Sequence, residues 1–377
     1  MIYLDHNATT PTDPQVLEAM LPWFTERYGN ASSGHGLGHL AEGALVAARE
    51  QVAALLHCQP AEVVFNSGGT EGLNHAFRGV FEAFPTKRHF VTTAVEHSAV
   101  QALVAWLRRQ GAEVTVLGVD GNGALDLEAL RAALRPDTAL VSVMAANNES
   151  GVRFPLEAVA EIVKAHGALL HTDATQAVGK IPLDLSKLAV DLLNLSAHKF
   201  YGPKGAGALF IRRGLRLKPF LVGGHQERGR RGGTENVHGV VGLGRAAQLA
   251  QEALPRMANV EALRDRLEAA FPEAVIHGRT SPRLPNTSFM AFPGVEAEAL
   301  LLRLDQQGIC VSTGSACTTG QTEPSHVLRA MGIDPRLALS TLRFSLGRGT
   351  PAEEIEDVVQ RLPSLVAELT RNGPPSL

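Results

Sequence analysis

The chain has 377 residues, 45% hydrophobic and 19% charged, enough for large cores and for two domains of ordinary size. Its 35 Lys and Arg against 38 Asp and Glu leave a formal net charge of −3, which supplies no global field toward nucleic acid or an anionic membrane and favours a small, roughly neutral partner. Three cysteines, Cys58, Cys310 and Cys317, argue against a disulfide framework; with no basic, apolar leader and no membrane-length apolar run, the expectation is a cytoplasmic protein.

From about residue 62 to residue 212, short runs rich in Val, Leu and Ile alternate with longer amphipathic stretches. This is the rhythm of βαβ units and a mostly parallel sheet. Predicted strands are Glu62–Phe65, His89–Thr93, Glu113–Leu117, Thr138–Ala145, Ala168–Thr172, Leu192–Ser196 and Gly207–Ile211, with helices such as Ser98–Gln110 and Leu156–His166 between them. A long helical pattern, Val240–Leu254, ends at Pro255. Beyond it the texture becomes that of a smaller α+β unit, with strands Thr287–Phe292, Ile309–Ser312 and Thr341–Leu346 and helices Glu296–Gln307 and Glu353–Thr370, and a frayed tail from Arg371.

Ligands of open parallel sheets bind at the carboxyl ends of the strands. Ser67-Gly68-Gly69-Thr70 passes from a strand into a helix and can offer free N–H groups to a phosphate, although glycine turns before helices are common. It lacks the Lys of a P-loop and the spacing of a dinucleotide fingerprint. Lys199 closes an apolar strand beside His198, where it can be desolvated and form a Schiff base; equally, a strand-end lysine can simply reach solvent. Asp173 at another strand end suits a pyridinium nitrogen or, alternatively, a helix N-cap. A phosphate turn, a ring-binding histidine, a pyridinium aspartate and a Schiff-base lysine, all at strand ends, together describe a pyridoxal-phosphate pocket.

The motifs Tyr3–Thr10, Asn30–His35, Ser67–Glu71, Glu96-His97, Asn147–Glu149, Asp173–Gln176, Ser196–Lys199 and Arg343–Arg348 resemble those of the cysteine desulfurases, aminotransferase class V enzymes of pyridoxal-phosphate fold type I. Ser312–Gly320 with Glu323–His326 is similar to the cysteine-bearing loop of group I members. The resemblance implies an α/β fold, with a large cofactor-binding domain over residues 13–254 and a small domain made of residues 1–12 and 255–377 that carries the cysteine loop.

It further implies pyridoxal 5'-phosphate as cofactor and L-cysteine as substrate, converted to L-alanine with the sulfur left as a persulfide on Cys317. Lys199 would hold the cofactor, His97 would stack on its ring and assist proton transfer, Asp173 would pair with the ring nitrogen and Gln176 with the phenolic oxygen. Gly69, Thr70, Ser196 and His198 would surround the phosphate, with Thr234 reaching in from the partner subunit of a homodimer. Asn148 would lie near the ring and substrate, and Arg343 would hold the substrate carboxylate through its planar fork. A protein sulfur acceptor is implied, such as an iron–sulfur scaffold or a thiolation enzyme.

Cys317 sits among small and polar residues suited to a moving nucleophile, whereas Cys310 and Cys58 read as small hydrophobes. No spacing suggests a metal site. Gly229-Arg230-Arg231-Gly232-Gly233 superficially resembles an RNA-binding tract, but its place before Thr234 suits a loop near a phosphate, and direct nucleic-acid binding is not expected. Gly69, Gly233 and Ser150 depart from the usual Ala, Ser and aliphatic residue of relatives, and the end of the chain lacks the longer tail that some relatives use to dock a scaffold. The rival readings are a selenocysteine lyase, or another pyridoxal-phosphate lyase or aminotransferase of the same fold.

Overall fold

The computed structural model describes residues 1–313 and 324–372. Among these residues the strands are β1 (Ile2–Tyr3), β2 (Val63–Asn66), β3 (His89–Thr93), β4 (Glu113–Leu117), β5 (Thr138–Ser142), β6 (Leu169–Asp173), β7 (Leu192–Ser196), β8 (Gly207–Ile211), β9 (Val275–Ile276), β10 (Thr287–Ala291), β11 (Ile309–Cys310) and β12 (Thr341–Ser345). Seven of them form one sheet in the order β2-β8-β7-β6-β5-β3-β4. Five neighbouring strands run parallel, and β8 alone runs against them, pairing antiparallel with both β7 and β2. The fold is therefore the expected α/β architecture with a mostly parallel sheet.

Alternation along the strands explains why helices cover both faces. Val63 and Phe65, Val91, Val141, Leu193 and Phe210 enter one core with the helices Gly36–Leu56, Leu156–His166 and Val237–Ala253. Val64, Phe90, Leu140, Leu192 and Leu209 enter the other, against the helices Gly69–Ala83 and Ser98–Arg109. A further core gathers Met290, Leu342 and Phe344 of the antiparallel β12-β10-β9 sheet under the helices Ala297–Gln306 and Ala352–Asn372, and Ile2 and Leu4 join it.

Three differences from the sequence expectation bear on the site. The strand expected to reach Ala145 stops at Ser142; Val143 N and Ala145 N still donate to the main-chain oxygens of His171 and Asp173, and the bend brings Met144 and Ala146 to a cavity wall. The strand expected over Ile309–Ser312 is only two residues long, pairs in parallel with β1, and leaves Ser312 in a separate bridge to Arg343. A helix ending near Leu56 was expected from the sequence, but not its start at Gly36, where the His35 side chain accepts from Gly38 N, nor its length of 21 residues. Among the described residues no helix is long and apolar enough to cross a membrane.

Candidate active site

The carboxyl ends of β2, β3, β5, β6 and β7 open into one cavity of about 480 Å³. Gly69 and Thr70 line it from the turn after β2, His97 from the turn after β3 and Asn148 from beyond β5. Asp173 and Gln176 come from the end of β6, Ser196, His198 and Lys199 from the end of β7, and Arg343 from β12. Ten of the twelve candidate residues thus meet in one place. Thr234 is exposed and does not line this cavity. Cys317 lies outside the described residues.

The turn after β2 requires glycine. Gly68 sits at φ 144° and ψ −173°, a region nearly closed to other residues, and caps the helix Gly69–Ala83, whose first N–H groups have no intrahelical acceptor. Such a helix start attracts an anion.

Lys199 ends the short helical turn Ala197–Lys199. Its Nζ donates to the main-chain oxygens of Asn7 and Ala8 at 2.7 and 2.8 Å. Burial, then the Arg343 charge, push its proton affinity down, with Asp5 and Asp173 opposing; the result is a pKa of about 8. A substantial share of the amine is therefore unprotonated in mildly alkaline solution.

Asp173 is buried, and its Oδ1 accepts from Thr175 N at 2.9 Å and Asn194 Nδ2 at 3.0 Å. The capping contact and the cavity position coexist. His97 begins the helix Ser98–Arg109, with Nδ1 accepting from Ala99 N at 3.2 Å. In the neutral ring this leaves the proton on Nε2. Burial, and the nearby Lys199 and His326, lower its proton affinity against the pull of Asp173. Burial, then Lys199 and Lys204, bring His198 to about 4.

Arg343 is buried and held on two sides: Nη2 lies 2.7 Å from Asp5 Oδ1, and Nη1 donates to Asn148 O at 2.9 Å. Gln176 donates through Nε2 to Asn7 O at 2.9 Å. Asn148 Oδ1 is buried at the cavity and has no hydrogen-bond partner among the described residues.

Several lining residues carried no assigned role in the sequence, among them Asn7, Glu149, Ser312 and His326. Glu149 is buried and accepts from Ser325 Oγ, while His326 Nε2 donates to the main-chain oxygen of Glu96 at 3.0 Å. Glu96 itself is fully buried, and burial pushes it up to about 8 although Met144 N and Thr93 Oγ1 donate to it. Asn7, Glu149, Ser312 and His326 all fall in motifs already singled out, Tyr3–Thr10, Asn147–Glu149, Ser312–Gly320 and Glu323–His326, which was the available signal.

Residues 2–358 match the aminotransferase class-V family. The chain is 51% identical over 378 residues to cysteine desulfurase 2 of Trichormus variabilis, spanning 99% of this chain and 95% of the relative. It is 50% identical over 379 residues to a cysteine desulfurase of Cereibacter sphaeroides, spanning 99% and 97% of the two. Among solved structures, a NifS-like protein superposes with a TM-score of 0.92 at 40% identity, covering 98% of this chain and 100% of that one. SspA in complex with cysteine superposes with a TM-score of 0.83 at 33% identity, covering 92% and 99%. With both the fold and the sequence matched along nearly their whole length, this chain belongs to the aminotransferase class-V family and, within it, to the cysteine desulfurases.

Proposed function

We propose that the cavity converts L-cysteine to L-alanine and that the substrate sulfur passes to Cys317 as a persulfide, with Lys199, His97 and Arg343 serving the reaction. The cysteine desulfurases of this family are pyridoxal 5'-phosphate enzymes. The donor set fits that cofactor: a glycine-capped helix start at Gly69 and Thr70 with Ser196 and His198 for a phosphate, a buried carboxylate at Asp173 for a ring nitrogen, and the N–H end of Gln176 for a phenolic oxygen. Asn148 Oδ1, unpartnered among the described residues, supports a polar occupant at the wall. When bound, the cofactor supplies an electron sink for the pair left on the substrate's α-carbon.

In this reading Lys199 Nζ, with its lowered proton affinity, takes the α-proton. Arg343, fixed by Asp5, orients the substrate carboxylate. His97 would lie against the ring, and with Nδ1 occupied by Ala99 N its proton sits on Nε2, available to a developing charge. The Cys317 thiolate attacks the substrate sulfur. The bond between sulfur and Cβ breaks with its electron pair left on carbon, where it is protonated, and a new S–S bond remains on the enzyme. A protein acceptor such as an iron–sulfur scaffold or a thiolation enzyme then takes that sulfur.

A homodimer completes the site in this proposal, with Thr234 reaching the partner's phosphate position. Its exposure supports this, as do the solvent-facing Leu17, Leu21, Phe24 and Tyr28.

The observation that carries the reading is the convergence of Lys199, Asp173, His97 and Arg343 on one cavity. Mass spectrometry of wild type and Cys317→Ala after L-cysteine, with alanine quantified in parallel, tests it. The expected result is a sulfur adduct on Cys317 with alanine release, both lost in the variant. Alanine without an adduct, or undiminished in the variant, overturns the role of Cys317. Activity of the variant retained on selenocysteine but not on cysteine marks the lyase alternative.

A further inference from the structure

Lys180 lies behind the cavity, four residues after Gln176, and is buried. Its Nζ donates to Gln176 Oε1 at 2.7 Å and to Asn7 Oδ1 at 2.9 Å. Neither acceptor is a carboxylate. Burial, then the charges of Lys199 and Arg343, hold its proton affinity well below the ordinary lysine value. An amine buried at a cost without an ionic partner needs a reason beyond packing.

That reason lies in the one-way chemistry of lysine. The two ends of an Asn or Gln amide have nearly the same shape, and the neighbours decide which end faces where. Lysine only donates, so Gln176 must turn Oε1 toward Lys180 and its N–H end away, where Nε2 reaches Asn7 O at 2.9 Å. Asn7 is fixed by the same rule: its Oδ1 receives Lys180 and also Asn286 Nδ2 at 3.1 Å, so its Nδ2 donates to Asn148 O and Thr287 Oγ1 at 3.2 and 2.9 Å. The main-chain oxygen of Asn7 also receives Lys199 Nζ at 2.7 Å. The buried amine thus holds the Oε1 end of Gln176 and the Oδ1 end of Asn7, while the acceptor-only main-chain oxygen of Asn7 receives both the N–H end of Gln176 and Lys199 Nζ.

We propose that Lys180 is a positioning residue that locks the Gln176 amide with its N–H end toward the cofactor's phenolic oxygen, so that this oxygen is held unprotonated. The inference rests on the placement of that oxygen beside Gln176 proposed above. Among the described residues, His6, Lys199, Tyr201, Arg343 and Arg348 are the other titratable or charged groups near Lys180, from the amino-terminal segment, the turn after β7 and the β12 region.

The test is the absorbance spectrum of the holoenzyme against pH for wild type, Lys180→Met, Lys180→Arg and Gln176→Ala. With a directed donor lost, the band of the unprotonated phenolic oxygen, near ~400 nm, gives way to the shorter-wavelength band at higher pH. In Lys180→Met the midpoint is expected to rise by about one pH unit, the size of one lost hydrogen bond to a charged group. In Gln176→Ala it rises by at least as much, whereas Lys180→Arg, still donor-only, stays near wild type. A midpoint that moves in Gln176→Ala but not in Lys180→Met overturns the inference alone. No movement in Gln176→Ala overturns the placement on which it rests. Should Lys180→Met not fold, a Lys180→Gln enzyme, whose amide can present either end, is expected to shift in the same direction, and an unmoved midpoint there overturns the inference.

Discussion

Arg343 Nη2 lies 2.7 Å from Asp5 Oδ1, joining a residue five positions from the start of the chain to the middle of β12. The pair does two things. It fixes the guanidinium plane that faces the cavity, and it places a carboxylate whose charge favours the protonated form of Lys199. In Asp5→Asn both effects are lost. Arg343 loses its ionic anchor, and KM for cysteine rises roughly tenfold. Without the opposing carboxylate, Lys199 gives up its proton at lower pH. Uptake of pyridoxal phosphate by cofactor-free enzyme, which needs the free amine, should rise with pH around about 8 in wild type and at lower pH in the variant. An unchanged profile with an unchanged KM would mean that β12 alone positions Arg343.

Gly68 offers a sharper test of the phosphate turn. An added Cβ would stand 3.3 Å from Ser196 Oγ, in a backbone conformation at φ 144° that only glycine adopts readily. Gly68→Ala should therefore cost about 1–3 kcal/mol in strain, relieved only by moving the helix start. The expected outcome is cofactor affinity reduced at least tenfold, read as loss of the visible band on dialysis. A variant that retains its cofactor like wild type would place the phosphate elsewhere.

Buried parallel strands are the part of this fold most legible in sequence. His89–Thr93 and Leu192–Ser196 have the boundaries that their apolar runs predict, because helices cover both faces and leave short uninterrupted apolar segments; the antiparallel Gly207–Ile211 and the partly exposed edge strand Glu113–Leu117 also match their predicted bounds. β1 was illegible for the opposite reason, and the strand expected over Ile309–Ser312 stops at Cys310. Two residues carry no periodicity, and their pairing joins Ile2 to Ile309. The strand-end polar residues identify the cavity, since a parallel sheet gathers them at one edge. Lys180 illustrates what remains hidden: a lysine after a glycine reads as a surface residue, and only the packed structure shows that Asn7 and Gln176 surround it.

Asn194 connects Asp173 to a buried chain of donors. Its Nδ2 donates to Asp173 Oδ1, and its Oδ1 receives His171 Nε2 at 2.7 Å. Burial brings His171 to about 4, so the ring is neutral, and with its proton on Nε2 the Nδ1 atom accepts from Ser142 Oγ at 2.8 Å. Hydroxyl, imidazole and amide all point their donors toward the carboxylate. Asn194→Ala leaves the His171 N–H unsatisfied and Asp173 short of a donor, a loss of about 2–3 kcal/mol. Ser142→Ala, at the far end, should cost about 1 kcal/mol. Denaturant unfolding measures both, and equal losses at the two positions would argue against a directed chain.

Arg231 and Glu71 couple the turn after β2 to the glycine-rich segment that carries Thr234. Arg231 Nε and Nη2 reach the two Glu71 oxygens at 2.9 and 3.3 Å, and Glu71 Oε2 also accepts from Ser67 N at 2.9 Å. Burial would raise the proton affinity of Glu71, but Arg231 and Ser67 outweigh it and hold the carboxyl below its ordinary value. A carboxyl depressed by folding contributes stability above its unfolded pKa and loses it as the pH falls through the folded value. Arg231→Ala reverses the sign, since a buried carboxylate without its cation binds a proton more readily than in the unfolded chain. The variant should lose about 1–3 kcal/mol at pH 7.5, and the deficit should narrow toward pH ~4 as Glu71 takes up a proton. Unfolding curves at the two pH values give the comparison. A deficit independent of pH would mean that Arg231 acts through packing, leaving the charge of Glu71 to be balanced by the helix start itself.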